Sequence, residues 1–140
     1  MRIMCLDVGK ARVGIAQSDP MQIIASPLEV LTRTKSINND AKYVANLAQS
    51  NEVGLIVVGL PLKLDGTKGE SALMAEEFAE KIQKFCEIEI VFQDERLSTV
   101  SAERILLEGN VRRDKRKGVV DKIAATIILQ NYLDKIQYKK

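Results

Sequence analysis

Four apolar residues, Ile3 to Leu6, run straight into a carboxylate, Asp7, and the apolar pattern resumes over Val13 to Ala16. A carboxylate in that position either forms a turn or is an anion held at a sheet edge to bind something cationic. Two other places share this character. Asp94 and Glu95 close the run "IEIVFQ", and Asp121 falls on one helical face with Ala124, Ala125 and Ile128. Each acid alone has an ordinary explanation. Asp7 can begin a hairpin, Asp94 and Glu95 are two of 19 acidic residues, and Asp121 in the first turn of a helix is favoured by the helix dipole by roughly 0.3–1 kcal/mol. Gathered in space, the same acids would repel and one would be driven toward protonation unless a counter-ion joined them. A hard divalent cation such as Mg²⁺ (or Mn²⁺) removes that conflict, because it prefers oxygen ligands and keeps several waters. A pair of such ions about 4 Å apart would activate a water and stabilise the leaving oxygen of a phosphodiester.

The rest of the composition points the same way. The chain has no histidine, which removes Ser-His and Cys-His catalysis and imidazole-based zinc sites. Acid–base or metal chemistry must therefore fall to carboxylates. A net charge of +2 says little, but five of the six positions from Arg112 to Lys117 are basic: Arg112, Arg113, Lys115, Arg116 and Lys117. Such a run is either a solvated loop or a set of sequence-independent phosphate contacts, and its place just before Asp121 favours nucleic acid. Lys10 and Arg12, after Asp7, and Arg96, beside Glu95, add candidate contacts. Three Phe, three Tyr and no Trp leave little for base stacking, so recognition is expected to rest on shape and charge. The stretch "GLPLKLDGTKGE" has loop glycines ahead of a helix, a fair anion-binding arrangement, but it lacks the Lys-Ser/Thr ending of a nucleotide-binding P-loop.

The elements that must position these residues can be read from periodicity. The length of 140 residues suits one domain over 1–140 with a real core. No 18-residue apolar run and no signal-peptide pattern is present, so neither a membrane span nor export is expected and the protein is read as cytoplasmic. Cys5 and Cys86, in apolar settings, are expected as reduced core residues. Residues 2–8 and 13–18 read as a hairpin closed by "GKAR", with a third extended piece after Pro27 through "LEVLTR". Ser36 can cap a helix carrying Ile37, Ala41, Val44 and Ala48 on one face. "VGLIVVGLP" reads as a strand covered on both faces. A helix from Glu70 to Cys86 is expected to bury Met74, Phe78, Ile82 and Phe85, followed by a fifth strand. A helix capped by Ser98 or Thr99 and stopped near Gly109 comes next. The basic stretch then leads into a last helix from about Val119 to Lys135. Three meandering strands followed by alternating strand and helix imply an α/β fold with a mixed five-stranded sheet and helices on both faces.

With those residues in view, the chain resembles the YqgF family of Holliday junction resolvase-like, pre-16S rRNA nucleases. Four stretches carry the likeness: "LDVGKARVGIAQSD", "VVGLPLKLDGTKGE", "DERLSTVSAERIL" and "KRKGVVDKIAATIILQNYL". The resemblance implies a ribonuclease H-like fold and a divalent-metal-dependent nuclease acting on structured nucleic acid, linked to maturation of the 16S rRNA 5′ end. It also implies roles: Asp7, Glu95 and Asp121 as catalytic metal carboxylates, with Asp94 a weaker candidate. Ribonuclease H-like enzymes commonly carry an acid near the end of the fourth strand, where this chain has "GLP", and many have a fourth acid near the last, where Ala124 stands. One and two metal ions therefore both stay open. Rival readings are a DNA junction resolvase, a non-catalytic RNA-binding assembly factor, and an actin-like ATPase, whose "DxG" hairpin "LDVGKARVG" also resembles. Monomer and homodimer are equally compatible with the sequence.

Overall fold

The computed structural model describes residues 1–63, 65–94 and 113–138, and the backbone alone for 113–122 and 138. The elements are β1 (Arg2–Val8), β2 (Arg12–Ser18), β3 (Ala25–Thr32), α1 (Ile37–Ser50), β4 (Val53–Leu60), α2 (Glu70–Ile82), β5 (Glu89–Asp94) and a long α3 (Arg113–Tyr138). They form one five-stranded sheet in the order β3-β2-β1-β4-β5. The β1–β2 and β2–β3 pairs are antiparallel, and β1–β4 and β4–β5 are parallel. This is the mixed sheet expected from three meandering strands followed by crossovers.

Two cores sandwich the sheet. On one face Met4, Leu6, Val8, Val13, Ile15, Ile56 and Val58 pack against Ala41, Val44, Ala45 and Ala48 of α1 and Ala75, Phe78, Ala79 and Ile82 of α2. On the other, Ile3, Cys5, Ala16 and Val57 pack against Ala124, Ala125, Ile128, Leu129 and Leu133 of α3. The period of two along β1 thus sends even positions to the α1/α2 face and odd positions to the α3 face. Central β1 and β4 are buried on both sides, which is why their sequences are almost continuously apolar. Ser36 caps α1, its hydroxyl accepting from the Asn39 amide at 3.1 Å. Cys5 and Cys86 are both buried as thiols. Among the described residues, no helix is long and apolar enough to cross a membrane.

Four expectations are corrected. The third strand starts before Pro27, at Ala25; proline is tolerated because β3 is an edge strand, and the β2–β3 register shifts between Ile15 and Ala16, where Ala16 faces Pro27. Helix α2 ends at Ile82, ahead of Cys86, so Phe85 leaves the buried stripe and is 38% exposed. Helix α3 begins at Arg113, six residues ahead of Val119, so Arg113 to Lys117 are its first turns rather than a loop before it. Asp121 consequently lies in the third turn of α3, beyond the reach of the dipole argument, which fades within the first turn. The helix expected between Ser98 and Gly109 lies outside the described residues.

Candidate metal and nucleic-acid site

Register and alternation define the surroundings of Asp7. One row across the α3 face runs Ala16–Cys5–Val57–Val91, each residue paired with the next. Ala16, Cys5 and Val57 are buried under α3, and Val91 packs against them. Two residues further along β1, the next row on that face runs Gly14–Asp7–Gly59–Gln93. Asp7 pairs with Gly14, Gly59 pairs with Gln93, and extending the β1–β4 register by one residue sets Gly59 beside Asp7. Asp7 is half-buried, one residue short of the end of β1. A carboxylate with no side chain on either lateral neighbour is therefore held on the same face as α3, just past the packed row.

Helix α3 covers that face with Ala124, Ala125 and Ile128, which stand three, four and seven residues beyond position 121. Position 121 continues the register of that buried stripe by one turn. The side chain of Asp121, and all of Glu95, lie outside what the structure describes. Asp94 is described: it pairs with Leu60, shares the parity of Ile90 and Phe92, and belongs to the α1/α2 side. Its strand thus carries it to the face opposite Asp7. Among the described residues no group of three His, Cys, Asp or Glu is placed to hold a metal ion. Asp7 itself suits a hard cation: it is a half-buried oxygen donor set between two glycines.

Of the basic candidates, Arg12 begins β2 with the parity of Gly14, on the face of Asp7. Lys10 leans the other way, meeting Glu70 of α2 at 3.2 Å, with both side chains largely exposed. Such a pair contributes about 0–1 kcal/mol and leaves Lys10 available to another anion. Arg113, Lys115, Arg116 and Lys117 lie on the helical backbone ahead of Asp121, and Arg96 and Arg112 are outside the described residues. The loop after β4 has internal order: the Thr67 amide and hydroxyl donate to Asp65 at 2.9 and 2.7 Å, and Gly66 takes φ 89°, which favours glycine. Gly69 caps α2 without a side-chain acceptor.

The clasp behind the Asp7 hairpin was not foreseen from the residues alone. Asp40, in the first turn of α1, is buried and accepts from the Thr34 hydroxyl at 2.9 Å and the Thr34 amide at 3.1 Å; Arg33 Nε lies 3.8 Å away. The Arg33 guanidinium donates to the Gly9 carbonyl at 3.0 Å and stacks over Phe78, 5.2 Å from the ring centre. The turn itself closes with the Gly9 amide on the Arg12 carbonyl at 2.8 Å, and a Cβ on Gly9 would meet that oxygen at 2.9 Å. The turn after Asp7 is thus fixed from below. Gln93 was also missed. Its amide reaches the Ile128 carbonyl at 3.4 Å, a long contact joining β5 to α3 on the row of Asp7. A polar residue alternating with Val91 in an otherwise apolar strand was the available signal, as were Gly14 and Gly59 inside strands.

Comparison with known proteins decides the family. A family model described as RuvX, Holliday junction resolvase, matches residues 1–135. The chain belongs to the RuvX family. A relative from Syntrophomonas wolfei, named "Putative pre-16S rRNA nuclease", is 50% identical over 134 residues, covering 96% of this chain and 94% of its own. Relatives of the same name from Fusobacterium nucleatum and Halalkalibacterium halodurans are 48% and 44% identical, covering 95% and 99% of this chain and 96% and 100% of theirs. Among solved structures, Thermus thermophilus RuvC in complex with a Holliday junction substrate aligns with a TM-score of 0.61 at 11% identity, over 99% of this chain and 96% of that one. RuvX and RuvC thus share the ribonuclease H-like fold, as the sequence led us to expect.

Proposed function

We propose that this RuvX chain is a divalent-metal-dependent nuclease that hydrolyses phosphodiester bonds in structured nucleic acid, with the precursor of 16S rRNA as its substrate and the 5′ end as its point of action. The observation that carries the reading is the placement of Asp7: a half-buried carboxylate flanked by glycines, on the sheet face that α3 covers, one row past its packed residues. Asp121, one turn before Ala124 and Ala125, and Glu95, directly after β5, are the acids that complete the ligand set. The reading requires position 95 to share the parity of Gln93. A bound Mg²⁺ or Mn²⁺ would polarise the phosphodiester and lower the pKa of a coordinated water. The protein's own residues hold that ion by carboxylate oxygens, orient it against the sheet, and grip phosphates with Arg12, Arg96, Arg112, Arg113, Lys115, Arg116 and Lys117, Lys10 joining from the α2 side. Residues 1–140 act as one nuclease domain, working in the cytoplasm, where Cys5 and Cys86 stay reduced.

The family description favours one second reading, cleavage of a four-way DNA junction, which needs a symmetric dimer to cut two strands. A cleavage assay with both substrates, with and without Mg²⁺ or Mn²⁺, tests the two together. Metal-dependent cutting of the precursor rRNA is expected, and its absence with efficient junction cleavage would transfer the substrate to DNA. No metal-dependent cleavage of either would leave the chain an assembly factor.

A further inference from the structure

We infer that Arg33 is a positioning residue for the cation site: it holds the turn that follows Asp7, and through that turn the direction in which the carboxylate is presented. The inference rests on Asp7 being a metal ligand, and goes beyond it by giving a task to a side chain on the α1/α2 side of the sheet. Asp7 needs such support because it sits where the sheet runs out. The last β1–β4 pair is Leu6 with Val58 and the last β1–β2 pair is Val8 with Val13, so Asp7 lies just past one ladder and one residue from the end of the other. Strand ends fray unless they are tied. Val8 is packed in the core, but Gly9, the next residue, has no side chain with which to anchor the chain.

Arg33 stands directly after β3 and grips the turn twice. Its amide donates to the Ala11 carbonyl at 2.9 Å and its guanidinium to the Gly9 carbonyl at 3.0 Å. The distances separate this task from plain charge neutralisation. Arg33 Nε is 3.8 Å from Asp40, whereas a guanidinium hydrogen-bonded to its acid approaches to about 2.7–2.9 Å. Asp40 takes its shorter bonds from Thr34, at 2.9 Å from the hydroxyl and 3.1 Å from the amide. The guanidinium therefore directs its close hydrogen bond at Gly9, with the Phe78 ring centre 5.2 Å from its central carbon and the side chain only 13% exposed. A rigid planar fork can face Gly9 and Asp40 at once, which the point charge of a lysine on its flexible stem cannot. Asp7 is two residues from Gly9, so a shift of the turn reaches the carboxylate. A misplacement of about 1 Å can cost about a hundredfold in rate, and Mg²⁺ is exacting because it demands near-ideal octahedral geometry.

The test uses the full chain with Arg33→Lys, Gly9→Ala, Val53→Ala and Asp7→Asn made separately. Gly9→Ala disturbs the turn without altering Arg33, since the added Cβ would meet the Arg12 carbonyl oxygen at 2.9 Å. Val53 is buried at the start of β4, opposite Arg2, so its truncation lowers stability far from the turn. Mn²⁺ affinity is read by electron paramagnetic resonance, stability by thermal melting, and the amides of Asp7 and Gly9 by NMR. Arg33→Lys and Gly9→Ala should each lose at least tenfold in Mn²⁺ affinity with both amides displaced, while Val53→Ala melts earlier and binds like the parent. A folded Arg33→Lys or a Gly9→Ala that binds Mn²⁺ like the parent, beside an Asp7→Asn that does not bind, would overturn the positioning role and leave the metal reading standing. An equal loss of affinity in Val53→Ala would also overturn it, because stability alone would then explain the effect. Should Arg33→Lys fail to fold, the Gly9→Ala result decides. An Asp7→Asn variant that binds as tightly as the parent would instead remove the metal site itself, and the role of Arg33 with it.

Discussion

Single side chains carry the chemistry, and their effects separate by readout. Asp7→Asn keeps the shape of the carboxylate and removes its charge, so it should abolish metal-dependent cleavage, by at least about a thousandfold, while the melting temperature stays close to the parent's. Asp121→Asn should match it. Asp94→Asn, on the opposite face of the sheet, should cut at nearly the parent's rate. Asp40 behaves in the reverse manner. Removing its carboxylate leaves the largely buried Arg33 guanidinium without its acid and Thr34 without its acceptor, so Asp40→Ala should cost about 3 kcal/mol or more in urea unfolding. Asp19 gives a pH signature. Its carboxylate accepts the amides of Ile24, Ile23 and Met21, in that order of effect, which holds its pKa below the ordinary 3.8. The order it gives the 19–24 loop is fully present above 3.8 and is lost as pH falls through that lowered value. Amide shifts of Ile23 and Ile24 followed by NMR should therefore titrate with a midpoint below the ordinary 3.8.

At the scale of elements, what sequence could foretell depended on where the controlling force was local. The Ser36 cap, the apolar stripe of α1 and the doubly covered β4 follow from neighbours in sequence, and all three were legible. The end of α2 was not, because Phe85 continues the apolar spacing while the helix stops at Ile82 and leaves the ring 38% exposed. Nor was the start of α3, since the mostly basic run from Arg113 to Lys117 read as a loop although Arg and Lys are good helix formers. The face assignment of Asp94 needed the register with β4, a long-range fact. Phe78 shows the weight of correct placement. It projects from α2 into the core of the α1/α2 face, wholly buried with Arg33 over its ring, and Phe78→Ala should lose about 3–5 kcal/mol in denaturant unfolding.

For the whole molecule, the sheet divides labour between its faces. The α1/α2 side is a packed core with a buried ion pair; the α3 side packs Ile3, Cys5, Ala16 and Val57 under the helix, with the half-buried Asp7 one row beyond. Basic residues concentrate toward the start of α3, so a phosphate backbone would be drawn to the edge where the acids are proposed to meet. If Arg112, Arg113, Lys115, Arg116 and Lys117 all contact phosphates, log K against log salt should slope at about −3.5 to −4.5. Alanine at Lys115, Arg116 and Lys117 together should flatten that slope by about 2–3. An unchanged slope would return the run to the role of a solvated helix face.

Asp7, Glu95 and Asp121 are proposed to share one cation. A crystal structure grown with Mn²⁺, the ion located by its anomalous scattering, tests it most directly. A peak is expected within coordinating distance of all three carboxylates on the α3 face. A peak that excludes Asp7 or Asp121, or the three side chains turned away from one another around no ion, would contradict it.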